Sequence, residues 1–100
     1  MKFNMLVAIS AFDNTLEGDV NPRFGRCNNY LLVDTKNDTF KPLPNPAQYE
    51  GHGAGVSAAQ MIVNSNVDAI ISGNIGPNAF RILQAANIPI YTYFGKIKDA

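Results

Sequence analysis

The stretch Ser72-Gly73-Asn74-Ile75-Gly76-Pro77-Asn78-Ala79-Phe80 constrains the fold of this chain more than any other. Before it, Val67-Asp68-Ala69-Ile70-Ile71 is a β-branched apolar run of the kind that forms a buried strand. After it, Ala79, Phe80, Ile82, Leu83, Ala85 and Ala86 recur at helical spacing. Gly73 and Gly76 permit a tight turn between the two, and Pro77 suits the first helical position, where a missing N–H costs nothing. A strand, a glycine turn and a helix start leave free N–H groups at the carboxyl end of a strand. In α/β folds that is where anions and other ligands bind. A well-made strand-to-helix corner with no ligand fits the same residues, because glycine turns are common there.

Working outward from this corner gives the rest of the chain. Met5–Ala11 reads as a central strand. Phe12–Pro22 loses periodicity and collects polar residues, so a long surface loop is expected. Tyr30–Thr35 and Thr39–Leu43 form a strand pair around the turn Lys36-Asn37-Asp38, with Pro42 marking the second as an edge. An irregular loop from Pro44 to His52 ends at Gly53-Ala54-Gly55, after which Val56, Ala59, Ile62 and Val63 share a helical face, with Ser57 a candidate cap. Asn64-Ser65-Asn66 stops that helix, Asn87 closes the next, and Ile88–Tyr93 is the last strand. The order strand, strand, strand, helix, strand, helix, strand predicts an α/β single domain over residues 1–100, with a mixed five-stranded sheet covered by helices. Right-handed crossovers would bring the turns Gly53-Ala54-Gly55 and Gly73-Asn74-Ile75-Gly76 to one shared pocket.

Composition narrows the partners. Eight basic and eight acidic residues balance, which gives no broad electrostatic case for nucleic acid or an acidic membrane. The basic residues do group locally: Arg23 and Arg26 bracket Phe24-Gly25, and Lys96 and Lys98 lie near the end. One cysteine, Cys27, excludes an internal disulfide and fits a reducing cytoplasm. The apolar start of the chain is too short and too interrupted for a secretory signal or a membrane span.

Two side chains stand out as metal ligands. The Cys27 thiolate would be favoured by Arg23 and Arg26, although a small buried residue at a strand start is the simpler reading. His52 lies between Gly51 and Gly53, which leaves its imidazole accessible, although an idle loop histidine is the simpler reading on residue type alone. Neither has a partner at zinc-site spacing. Two ligands are too few for a closed mononuclear site but would suffice for a cluster arriving with its own bridging atoms. Among carboxylates, Asp13 and Glu17 could meet on the first loop, while Asp68 is expected at the sheet end opposite the glycine turns. A metal-dependent hydrolase needs more converging carboxylates than these. No Walker lysine, nucleophile elbow or dinucleotide fingerprint is present.

Taken in order, Asn21-Pro22-Arg23-Phe24-Gly25-Arg26-Cys27, Asn45-Pro46, Gly53-Ala54-Gly55 and Ser72 through Phe80 resemble the dinitrogenase iron-molybdenum cofactor biosynthesis family, which includes NifX-like proteins and the C-terminal region of NifB. The resemblance runs along essentially the whole chain. It implies a ribonuclease-H-like three-layer fold without nuclease activity. It also implies non-enzymatic binding of an anionic iron-sulfur or iron-molybdenum-type cluster during cofactor assembly or storage, with cluster donor and acceptor proteins as partners. The expected binding residues are Arg23, Phe24, Gly25, Arg26, Gly53, Ala54, Gly55, Gly73, Asn74, Gly76 and Asn78, with Cys27 and His52 as metal ligands. The competing readings are a metal-independent protein-interaction module and a divalent-ion-dependent hydrolase or nuclease using Asp13 and Glu17.

Overall fold

The computed structural model describes residues 5–13, 15–49 and 53–97. Three of the features read above, His52, Lys98 and the first residues of the chain, lie outside them.

Five strands form one mixed sheet: β1 (Leu6–Ala11), β2 (Asn29–Asp34), β3 (Thr39–Pro44), β4 (Ala69–Ser72) and β5 (Ile90–Thr92), ordered β3-β2-β1-β4-β5. β2 runs antiparallel to β1 and to β3, whereas β4 runs parallel to β1 and to β5. The edge position of β3 explains why it tolerates Pro42 and Pro44, which cannot donate to a ladder on both sides. Two helices, α1 (Ala54–Asn64) and α2 (Pro77–Ala85), supply the crossovers from β3 to β4 and from β4 to β5. Residues 66 and 87 follow them in the left-handed region, as asparagines at helix ends often do.

The central strands read as near-continuous apolar runs because both of their faces are buried. Their alternate residues divide into two clusters. Ala8, Tyr30, Leu32 and Ile70 face the helices and meet Ala58, Ala59, Ile62, Ala79 and Leu83. Ile9, Ala11 and Leu31 face the other way and meet Val20 and Ile97.

Here the structure departs from the three-layer expectation. Both crossovers step in the same direction along the sheet, so right-handed connections lay both helices on one face. Among the described residues the other face is covered by irregular chain. Val20 N donates to Gly95 O (2.7 Å), and Ile97 N donates to Gly18 O (3.0 Å). The segment 12–22 is therefore not wholly a surface loop, since Val20 and Asn21 are buried within it.

Candidate functional site

β1, β3, β4 and β5 share one direction, so the segments that follow them gather at one end of the sheet. Both helices begin at that end, and their starts flank one cavity of about 380 Å³. Gly25, Arg26, Gly53, Ala54, Gly55, Gly76 and Asn78 line it, together with Val56, Pro77 and Ala79. The two glycine corners, far apart in sequence, do open onto the same space.

Neither helix start is capped by a side chain. In α1 the N-cap is Gly53 at φ +75°, a left-handed angle that favours glycine, and the first closing bond runs from Ser57 N to Gly53 O (3.0 Å). Ser57 thus sits inside the first turn rather than capping it. The N–H groups of Ala54, Gly55 and Val56 have no partner within the helix. In α2 the N-cap is Gly76, Pro77 occupies the first turn, and Phe80 N donates to Gly76 O (2.9 Å). That leaves the N–H groups of Asn78 and Ala79. Two positive dipole ends therefore share a cavity whose described lining carries Arg26 and no carboxylate.

A short 3-10 turn, Phe24–Arg26, closes the third side. It sits against the start of α1 so closely that a Cβ on Gly25 would stand 2.8 Å from Gly55 Cα and N. Asn45, fully buried, holds the turn from beneath: its Nδ2 donates to Gly25 O (3.1 Å) and Cys27 O (2.9 Å). Its Oδ1 accepts from Ala47 N (3.1 Å). Asn21 makes the matching turn, with Oδ1 accepting from Arg23 N (2.9 Å) and its carbonyl accepting from the Ser10 hydroxyl (2.6 Å). Each Asn-Pro pair is thus an asparagine turn that bonds the backbone two residues on.

The other residues expected at the site have different places. Phe24 is buried, its ring 5.3 Å from that of Tyr30. Gly73 is a packing glycine, since a Cβ there would lie 2.5 Å from Pro22 Cα. Asn74 acts through its backbone: its N–H donates to Pro22 O (2.6 Å), and its carbonyl accepts from Phe24 N (3.2 Å). Arg23 is exposed beside it, one rung from Asn74, and does not line the cavity.

The expectation for Cys27 is corrected. Its side chain is fully buried, and Sγ donates to Phe24 O at 3.4 Å. Burial pushes the thiol from its ordinary 9.0 up to about 11, against the opposing pull of its hydrogen bonds to Tyr30 and Asn45. A neutral, enclosed thiol cannot serve as a metal ligand without rearrangement. Among the described residues, no three His, Cys, Asp or Glu side chains converge as a metal-holding group. Asp13 and Glu17 do not line the cavity, and Asp68 sits at the far end, accepting from Leu6 N (2.8 Å).

Residues 5–100 match the model of the dinitrogenase iron-molybdenum cofactor family. The chain belongs to this family. Among its relatives is an uncharacterised protein of Methanocaldococcus jannaschii, MJ0580, 34% identical over 90 residues that span 87% of this chain and 73% of the relative. The apo form of the orange protein from Desulfovibrio gigas superposes with a TM-score of 0.90 at 31% identity, covering 99% of this chain and 85% of that one. A NifB-like protein of the DUF35 family from Thermotoga gives a TM-score of 0.81 at 29% identity, covering 95% and 82% respectively. Both neighbours share this α/β fold over nearly the whole chain.

Proposed function

We propose that this chain binds and carries an anionic metal-sulfur cluster, of iron-sulfur or iron-molybdenum type, and does so without catalysis. One observation carries the reading: two uncapped helix starts and Arg26 surround one cavity with no carboxylate among its described lining residues. Such a site is built for negative charge. Its volume is in the range of small-ligand pockets. Membership of the cofactor family supports a metal-sulfur anion as cargo, and the neighbour solved in an apo form supports a ligand-carrying role.

The cluster is held here mainly by backbone donors and Arg26, with Gly25, Gly53, Ala54, Gly55, Gly76 and Asn78 shaping the space. His52 immediately precedes Gly53 in sequence and remains a candidate ligand. Arg23 adds charge near the entrance. Transfer requires donor and acceptor proteins, and the exposed rings of Phe12, Phe80, Tyr91 and Phe94 are the surface we assign to them. A strand order of β3-β2-β1-β4-β5 with β2 reversed supports placing the fold in the ribonuclease-H-like class. No helix among the described residues is long and apolar enough to cross a membrane, and we place the protein in the cytoplasm, where its lone thiol stays reduced.

The same exposed rings favour a second reading, a protein-interaction module that needs no metal. Anaerobic purification followed by metal and acid-labile sulfide analysis decides between them. Stoichiometric metal and sulfide with a coloured band supports the carrier. A colourless protein that takes up no cluster, yet binds a partner tightly without metal, supports the module.

A further inference from the structure

We propose that the outer edge of β5, at Ile90 and Thr92, takes an extended acidic segment of a partner protein as an additional strand of the sheet. This gives the partner surface at Tyr91 and Phe94 a mode of attachment, and it holds with or without a bound cluster.

The sheet has two edges, β3 and β5, and they are built differently. On β3, Asn45 N donates to Asn28 O (3.1 Å), continuing the β2–β3 register. Alternation then turns the backbone of Leu43, Lys41 and Thr39 toward β2 and that of Pro44, Pro42 and Phe40 outward. Two of those three outward residues are prolines and offer no N–H, the usual way a sheet closes an edge. On β5, Ile70 N donates to Pro89 O (3.0 Å) and Tyr93 N donates to Ser72 O (3.1 Å). Residues 89, 91 and 93 thus face β4, and Ile90 and Thr92 turn both N–H and C=O outward. Among the described residues neither of these two finds a backbone or side-chain partner on that side. No proline or charge interrupts Ile90–Thr92.

An open row of backbone donors and acceptors is matched by an extended backbone, and the exposed rings of Tyr91 and Phe94 beside it offer contacts for side chains. Charge names the occupant. From Ala69 to Lys96, a stretch that holds β4, α2 and β5, there is no carboxylate, while Arg81 and Lys96 are exposed. Lys96 meets Asp19 in an isolated bridge, but Arg81 donates only to the neutral Asn78 Oδ1 (3.1 Å), so its charge is left for a partner. A second copy of this chain would bring the same cation, and a three-residue strand is short for the roughly 1,200 Å² that a stable pair buries. The edge also lies where a partner is useful. A Cβ on Gly73 would stand 2.8 Å from Phe94 Cε1, so the end of β5 adjoins the corner between β4 and α2 that opens onto the cavity.

The test is amide hydrogen exchange of the 15N-labelled protein with a short end-blocked peptide alternating glutamate and valine, at millimolar concentration. The Ile90 and Thr92 amides are expected to exchange on the order of tenfold more slowly at saturation, while the outward amide of Phe40 on β3 is unchanged. The same peptide N-methylated at alternate positions keeps its side chains, loses backbone donors, and is expected to bind on the order of tenfold more weakly. Arg81→Gln is expected to weaken the glutamate peptide roughly two- to fivefold. If Ile90 and Thr92 stay unprotected, or if the N-methylated peptide binds equally well, no strand is added and the inference is overturned. A peptide with lysine in place of glutamate that protects as well overturns the acidic partner. Protection that grows with protein concentration alone, with a dimer in sedimentation, gives the edge to a second copy and overturns it too. Cluster uptake is measured separately, so none of these outcomes decides the carrier reading.

Discussion

Gly25 and Gly55 meet backbone to backbone, with so little space that a methyl group on Gly25 would lie 2.8 Å from Gly55 Cα and N. This contact joins a loop from the first third of the chain to the start of α1. It sets the width of the cavity on one side, while the approach of Gly55 to Ala79 Cβ, 3.5 Å from a Cβ on Gly55, sets it on the other. Three segments far apart in sequence are thus parts of one wall.

Gly25→Ala must push the turn and α1 apart. Destabilisation of roughly 1–3 kcal/mol is expected, read by urea unfolding, together with loss of cluster binding. Gly76→Ala is the matched control: a Cβ there meets nothing within 4 Å, and its φ of −68° suits any residue. Its stability should stay within about 0.5 kcal/mol of the parent.

Asn45→Ala removes the donor that serves two carbonyls and leaves them buried without it. We expect a loss of about 2–3 kcal/mol in denaturant unfolding, most of it the cost of orphaned polar groups rather than of lost volume.

Cys27→Ala should load with metal and sulfide as the parent does, because the buried sulfur does not reach the cluster. In the native protein Cys27 should react slowly with a disulfide reagent at neutral pH, and quickly once urea unfolds the chain. Cluster loss in Cys27→Ala, with the fold intact, would show that the thiol moves to meet its cargo.

Stability should fall in alkali. The unfolded thiol loses its proton near 9.0, while the folded one keeps it to about 11. Below pH 9 the two states bind the same proton and this contribution is complete; between pH 9 and 11 the unfolded state is increasingly favoured. The loss is on the order of 2 kcal/mol over that window. Burial, then the neighbouring thiol, also raises the Tyr30 hydroxyl, which adds to the loss above its ordinary 10.0. Unfolding midpoints measured from pH 7 to 11 should show the decline, and Cys27→Ala should flatten its earlier part.

Arg26→Ala should weaken cluster binding by roughly tenfold and reduce its salt dependence, since Arg26 is the one cation among the described lining residues. Lys41→Ala, exposed on the edge strand β3, should leave binding unchanged.

Element types and their order were legible because the local signals agreed with the global fold. Both helix starts are marked by glycine, both helix ends by asparagine, and the edge strand β3 by Pro42. The shared cavity followed from crossover handedness alone. What the sequence concealed was the direction in which side chains face. Cys27, Phe24 and Gly73 stand in motif segments, yet they serve packing beneath the site. Nothing in a linear string separates a residue that touches a ligand from one that holds the residue that does. Asn21 and Asn45 show the converse. Each precedes a proline and thereby signals a turn, but only the folded chain reveals that Asn45 clasps a loop twenty residues earlier. The covering of the second sheet face by Val20 and Ile97 was equally hidden, because it depends on two irregular segments finding each other.

The most direct test is anomalous diffraction at the metal edge from crystals of the protein loaded anaerobically with its cluster. The account predicts metal density between the starts of α1 and α2, within reach of Arg26 and of the amides of Ala54, Gly55, Asn78 and Ala79. Density bound instead at Asp13 and Glu17, or on the sheet face opposite the helices, would contradict it.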